Sequence, residues 1–206
     1  MKAKNKFARI YFVRHGEAEN KKHIIYGYLP VPLSPKGKTQ SRKAGIFLKK
    51  QNIAAIFSSP QKRTQETAKI ISQAVSKGKY RVQIDKNLRE SEFGHLTQGM
   101  TRRRATEKFP KEMDVYKRNP AKMKAGETFA KMAERMFSAI QKGVKKFPGQ
   151  NLVFVSHRDP IVAALLKMSN RSFNDLHKVK GICGTGSICE VWSVGKKLIN
   201  KTYLVS

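Results

Sequence analysis

Four short segments concentrate the residues of this chain that could do chemistry. They are Arg14-His15-Gly16-Glu17, Ser58-Ser59-Pro60-Gln61-Lys62-Arg63-Thr64, Leu88-Arg89-Glu90 and Ser156-His157-Arg158. A histidine flanked by an arginine and a glycine suggests phosphate chemistry. Arginine matches phosphate oxygens with paired N–H donors, so Arg14 and Arg63 suit a phosphoryl clamp. Each segment alone has an ordinary reading, such as a loop histidine or an arginine in a structural ion pair. Two histidines, two arginines and a carboxylate brought to one place would be far more specific.

The elements around these segments supply that place. Phe7-Ala8-Arg9-Ile10-Tyr11-Phe12-Val13 reads as a first strand, ending where the reactive residues begin. A loop rich in Tyr, Gly and Pro follows at residues 26–33. Ser34-Pro35 then opens a helix to about Lys50, as an N-cap with proline at the first helical position. Ile53 to Phe57 is a second strand, and Ser59-Pro60 repeats the cap-and-proline start. Thr64, Ala68, Ile71 and Val75 share one face of the next helix. Val82-Gln83-Ile84 is a third strand. Residues 88 to about 125 read as a basic cap insertion, with Pro110 and Pro120 interrupting short helices.

Phe129, Met132, Ala133, Met136, Phe137, Ile140 and Val144 recur at helical spacing, and Pro148-Gly149 stops that helix. Leu152-Val153-Phe154-Val155 is apolar without alternation, as a central strand covered on both faces would be. An apolar helix spans Ile161 to Leu166. Ile188 to Val191 and Leu198 to Val205 resemble a hairpin turning near Gly195. The alternation implies one α/β domain over residues 1–206, a three-layer sandwich with a mostly parallel sheet. All four segments then lie just past strand carboxyl ends, the edge where such sheets bind ligands.

The balance of 43 lysines and arginines against 14 acidic residues gives a net charge of +29. This favours anionic partners. The basic residues are spread over the chain, so nucleic acid is expected only through non-specific charge. Met1 to Lys6 lacks the apolar core of a signal peptide, and no apolar run approaches the ~20 residues of a membrane span. Cys183 and Cys189 are expected as reduced thiols in a cytoplasmic protein. Neither they nor the five histidines show metal-ligand spacing, so no metal or other cofactor is expected. Gly37-Lys38-Thr39 resembles the end of a phosphate-binding P-loop, but Pro32 stands where that loop needs glycine.

The four segments, in this order, resemble the histidine phosphatase superfamily, the phosphoglycerate-mutase-like family. The resemblance covers nearly the whole chain. Pro32-Leu33-Ser34-Pro35-Lys36-Gly37 is similar to the family's helix-opening segment, Phe93-Gly94 to the glycine after its acid, and Gly126-Glu127-Thr128 to the start of its long helix. The resemblance implies that His15 is the nucleophile, forming a phosphohistidine, with His157 donating to the transferring oxygens. It implies that Glu90 protonates the leaving oxygen and then helps deprotonate water. Glu90 is preferred over Glu92 on family spacing. Asn20 matches a phosphate-contacting position. Gly27 either brings backbone near the substrate or makes a turn.

His23 and His95 read as exposed or satisfied histidines, with His95 close enough to Glu90 to touch substrate. His177 matches no role. Arg158-Asp159-Pro160 stands where a small residue usually follows the second histidine, and residues 94–99 run one residue long. Arg158 would add a phosphate contact, pair with Asp159 or crowd the pocket.

The expected partner is a small phosphorylated substrate, and the leading reading a phosphomonoesterase. The alternatives are a cofactor-dependent phosphoglycerate mutase and a non-catalytic polyanion-binding protein. Gly126-Glu127-Thr128 favours the first over the mutase, and the intact set of five residues argues against the last.

Overall fold

The computed structural model of the chain describes residues 9–179, 184–194 and 197–203. The start of the first strand at Phe7 and Ala8, the segment Met1 to Lys6, Cys183, the turn at Gly195 and Val205 lie outside the described residues. So does the side chain of His95.

The sheet has six strands in the order β3-β2-β4-β1-β5-β6. They are β1 (Ile10–Arg14), β2 (Ile53–Ser58), β3 (Gln83–Ile84), β4 (Asn151–Ser156), β5 (Ile188–Val194) and β6 (Lys197–Tyr203). The first four are mutually parallel; β5 and β6 form the antiparallel pair that closes one edge. The third strand is only two residues long, shorter than its apolar pattern suggests.

Parallel strands need crossovers, and the helices supply two covering layers. Helices α1 (Pro35–Lys49) and α2 (Lys62–Ser76) pack over Tyr11, Val13, Ile56, Val153 and Val155 on one face. On the other face, α6 (Phe129–Lys146) and α7 (Arg158–Met168) cover Phe12, Phe57, Leu152 and Phe154. Phe57 and Phe154 stack at 4.9 Å between centroids. The fully buried β4 sits between β2 and β1, which explains its unbroken apolar run.

The insertion folds as three short helices, α3 (Glu92–Leu96), α4 (Arg102–Lys108) and α5 (Pro110–Arg118), followed by a 3-10 turn at Pro120–Lys122. Both prolines sit at helix starts, where a missing N–H costs nothing. These helices form the cap over the sheet's carboxyl edge. No helix among the described residues is long and apolar enough to cross a membrane.

Ser34 caps α1 as expected, its hydroxyl accepting from the Gly37 N–H at 3.0 Å. The matching expectation for Ser59 is corrected. Helix α2 starts at Lys62 behind Gln61, with no side-chain cap. Ser59 instead extends the β-ladder, donating its N–H to the Val155 carbonyl at 3.0 Å. Its hydroxyl is drawn to the side chains of Gln61 and His157.

Candidate active site

Strand register builds the site. Arg14 pairs with Ser156 across β1 and β4, and the His15 N–H donates to the Ser156 carbonyl at 3.1 Å. The residues one step further, His15 and His157, therefore emerge side by side, with ring centroids 5.2 Å apart. Ser58 pairs with Val155 across β2 and β4, which sets Ser59 next in the row. Arg63 lies in the first turn of α2 and points back over both rings.

The turn after His15 needs close packing. The Gly16 N–H donates to Thr67 Oγ1 at 3.1 Å, and a methyl group on Gly16 would lie 2.3 Å from the Gly37 carbonyl oxygen. Only glycine lets the loop sit this near the start of α1.

His15 Nδ1 lies 2.7 Å from the Gly16 carbonyl, which can only accept. The ring proton therefore sits on Nδ1 and the lone pair on Nε2. That Nε2 faces Arg63 Nε at 3.3 Å. Burial, followed by the positive charges of Arg63 and Arg14, holds the His15 pKa well below the ordinary histidine value. The ring is neutral at pH 7 and keeps its lone pair.

Arg63 is fully buried. Its Nη2 donates to the Gly27 carbonyl at 2.8 Å and to His157 Nδ1 at 3.1 Å. Its guanidinium lies 4.6 Å over the Tyr26 ring, a cation–π contact. Its buried Nη1 has no hydrogen-bond partner among the described residues. A buried cationic donor left in that state is unusual and suits an anion.

Burial also holds the His157 pKa well below the ordinary value, with Arg63 adding to the effect. Its Nε2 lies 2.8 Å from Ser59 Oγ and 3.1 Å from Gln61 Oε1. The Gln61 oxygen only accepts, so in this arrangement the proton is on Nε2 and Nδ1 accepts from Arg63. Ser59 can serve either tautomer, because a hydroxyl both donates and accepts.

Glu90 lies on the far side of His157, with Oε2 3.4 Å from Nδ1 and 3.8 Å from Arg63 Nη2. Its Oε1 accepts from the Ser91 N–H at 2.9 Å. Burial raises its pKa and the charge of Asp159 raises it further; Arg63 opposes both. Burial prevails, so the acid form persists to higher pH than for an ordinary carboxyl. Glu92 is turned away into an ion pair with Arg89 at 2.9 Å.

The Glu90 backbone is held by a residue that sequence reasoning missed. Arg135, on α6, donates to the carbonyls of Asn87 at 2.7 Å, Arg89 at 2.8 Å and Glu90 at 3.2 Å. The same guanidinium pairs with buried Glu127, whose Oε2 is 2.8 Å from Arg135 Nε. Helical periodicity places Arg135 inward beside Met132 and Met136, but nothing local says which loop it serves. Arg135→Ala would leave buried Glu127 with only the longer 3.7 Å pair to Arg89 and strand three carbonyls. The expected destabilisation is about 3–5 kcal/mol by urea unfolding. A loss below ~1 kcal/mol would show that the clamp matters little.

A cavity of about 600 Å³ opens beside these residues. Glu90, Gly27, Tyr26 and Asn20 line it from the sheet side, and Phe93, Thr97, Arg102, Met113 and Tyr116 from the cap. Arg14 ends β1 next to His15, and its charge acts on His15, His157 and Glu90. Asn20 lines the cavity but uses both ends of its amide on Ile24, donating to its carbonyl at 2.9 Å and accepting from its N–H at 3.0 Å. Gly27, at φ +39°, makes a turn and also turns its carbonyl to Arg63. Arg158 lines the cavity too, held by Asp159 at 2.8 Å and the Leu176 carbonyl at 3.0 Å. His23 is exposed on the cavity rim, and His177 faces the Tyr116 carbonyl at 2.8 Å. Among the described residues no group of three His, Cys, Asp or Glu side chains is arranged to hold a metal ion. Cys189 is buried in β5, and burial pushes its thiol pKa up to about 11.

The chain is also similar to known proteins. Residues 10–199 match the family model described as the histidine phosphatase superfamily (branch 1). The chain is 32% identical over 178 residues to phosphoglycerate mutase-like protein 4 of Arabidopsis thaliana, covering 84% of this chain and 76% of that protein. It is 30% identical to phosphoserine phosphatase 1 of Hydrogenobacter thermophilus, over 75% of this chain and 73% of that one. Among solved structures, Bacillus stearothermophilus YhfR superposes with a TM-score of 0.84 at 24% identity, over 93% of this chain and 94% of that one.

Proposed function

The chain belongs to the histidine phosphatase superfamily, branch 1, and on that premise we propose that it is a phosphomonoesterase for a small phosphorylated metabolite. The observation that carries this reading is the state of His15. Its proton is tied to the Gly16 carbonyl, and its neutral Nε2 faces the buried Arg63, which itself contacts Tyr26 and Gly27 in the wall of a ligand-sized cavity.

Two displacements complete the reaction. Arg14 and Arg63 bind the phosphoryl oxygens. The His15 Nε2 lone pair attacks phosphorus, and the bond from phosphorus to the ester oxygen breaks. Glu90 gives its proton to that oxygen, so the alcohol leaves neutral. In the second displacement, the Glu90 carboxylate takes a proton from water as its oxygen attacks phosphorus. The N–P bond breaks, His15 recovers its lone pair, and inorganic phosphate departs. His157 lies across from His15; it donates to the transferring oxygens from Nδ1 once Arg63 Nη2 turns from that nitrogen to the phosphoryl group and Ser59 donates to Nε2.

The test is turnover of a panel of alkyl phosphomonoesters, with release of inorganic phosphate as the readout. Glu90→Gln is expected to cost ~10²–10⁴-fold in kcat with an alkyl ester. With 4-nitrophenyl phosphate, whose leaving group needs no proton, the loss should be far smaller. An equal loss with both substrates would remove Glu90 from the acid role.

A mutase is the second reading, favoured by likeness to the phosphoglycerate mutase-like protein. A mutase must keep its phosphoryl group from water and pass it to a phosphoglycerate. Preferential transfer from the phosphoenzyme to phosphoglycerate would support the mutase; transfer to water supports the phosphatase.

A further inference from the structure

Asp159 has no part in the reaction as described, yet it is buried in the same cavity as Glu90. It stands in the first turn of α7, two residues beyond His157. Two elements converge on it. Its Oδ1 accepts from Arg158 Nη1 at 2.8 Å. Its Oδ2 accepts from the Tyr116 hydroxyl, also at 2.8 Å. Tyr116 belongs to cap helix α5, where its ring packs against Phe93 at 5.2 Å and His177 at 5.0 Å. This hydrogen bond ties an α5 side chain to α7. The segment Arg158-Asp159-Pro160 is also where the chain departs from the small residue usually found after the second histidine.

We propose that Asp159 is a positioning residue for the acid step: through Tyr116 it fastens the cap over the cavity, and its carboxylate sets a second negative charge beside Glu90. One side chain thereby links cap closure to the proton supply. With α5 docked, the cavity is walled by Met113 and Tyr116, water is reduced near Glu90, and a carboxyl in such surroundings holds its proton.

The charges facing Glu90 come from several elements. Arg63 on α2 and Arg14 on β1 favour its ionised form, as does the Ser91 N–H; Asp159 on α7 opposes them. Neutral His157 stands at 3.4 Å. Tyr116 on α5 feels both Asp159 and Glu90, and burial with these charges keeps its hydroxyl protonated. It is therefore a donor to Asp159 across the working pH range. Arg158 balances part of the Asp159 charge, so the net push on Glu90 is smaller than that of a lone carboxylate.

The sign of the expected effect is fixed by Glu90 acting as an acid. Its protonated form is the active one, so activity falls as pH rises through its pKa. Removing the neighbouring negative charge lowers that pKa and brings the fall to lower pH. Asp159→Asn keeps the size of the side chain and removes the charge. The alkaline limb of kcat for an alkyl phosphomonoester should move down by about half a pH unit or more, roughly threefold less acid form above the limb. With 4-nitrophenyl phosphate, which needs no proton from Glu90, the substitution should leave the pH profile unchanged. Asp159→Glu, which restores the charge, should return the limb toward its wild-type position. Tyr116→Phe should raise KM several-fold, because the cap loses its tie, and move the limb down by less than Asp159→Asn does, because the charge remains while water gains access to Glu90.

The kinetic arm rests on the phosphomonoesterase reading. A second arm does not: the titration of Glu90 followed by carboxyl carbon NMR in wild type and Asp159→Asn. A lower Glu90 midpoint in Asp159→Asn supports the proposal whether or not a substrate is turned over. An unchanged midpoint overturns it. A uniform loss of activity at every pH, with both substrates, also overturns it and leaves Asp159 a purely structural residue. Wild-type protein that turns over no phosphomonoester, with the midpoint shift intact, would refute the function and not the role of Asp159.

Discussion

His15→Ala should lower kcat/KM for a phosphomonoester by on the order of 10⁴–10⁶-fold, the loss expected when a covalent nucleophile is removed. The remaining groups still bind phosphate, so KM should change much less than kcat. No neighbouring side chain can take over. His157 Nδ1 accepts from Arg63, and its Nε2 is turned to Ser59 and Gln61. Rapid acid-free quenching with labelled substrate should trap a phosphoenzyme in wild type and none in His15→Ala. Turnover retained within tenfold of wild type would sink the phosphohistidine mechanism. Thermal unfolding of the variant separates this loss from misfolding, since His15 is buried.

Arg63 gives the second large effect, in two separable parts. Arg63→Lys keeps a positive charge but loses the planar fork that reaches His15, Gly27 and His157 together. The expected fall in kcat/KM is ~10²–10³-fold, as for loss of a preorganised donor to transferring oxygens. Arg63→Met loses the clamp and the charge. The positive charge of Arg63 makes protonation of His15 and His157 harder. Without it both pKa values rise. Because His15 must be neutral to attack, the acid limb of activity moves to higher pH in Arg63→Met and stays near wild type in Arg63→Lys. Burial is the larger cause of the low His15 pKa and remains in both variants. The limb should therefore stay below the ordinary histidine range. Identical pH profiles for the two variants would contradict this account.

The two variants test different layers of the site. His15 holds the electron pair. Arg63 decides when that pair is free and what charge can approach it. The cation over Tyr26 is kept in place by the Gly27 carbonyl, so the loop at residues 26–33, where the sequence left Gly27 either near the substrate or in a turn, supports the proposed phosphoryl clamp through its backbone.

Much of the candidate site is legible in the sequence, because it rests on patterns that are local. The apolar run of β4 without alternation marks a strand covered on both sides, and that places His157 at a sheet edge. Ser34-Pro35 announces a helix start through a single hydroxyl and a missing N–H. These signals lie within a few residues of the feature they create. Ser59-Pro60 carries the same local signal, yet the helix begins behind Gln61. There the tertiary competition wins, because Ser59 gains a ladder hydrogen bond from β4 and a buried partner in His157. Local propensity is a weak preference that such contacts override.

Read along the chain, the residues carry the alternation of strands and helices, the parallel sheet with its carboxyl edge, and His15, Arg63, Glu90 and His157 as the residues gathered there. Hydrophobic period and chain direction suffice for the shared edge, since every parallel strand delivers the residues after it to the same side, while the choice of Glu90 over Glu92 came from the family resemblance. Which groups hold those residues, and in what state, follows from the packed layers. Arg135 reaches the Glu90 loop from 45 positions away, and Tyr116 meets Asp159 across 43. Contacts of that span leave no periodic trace in the chain. The protonation of each group follows from burial and from charges assembled across the fold, which exist only once the layers have closed.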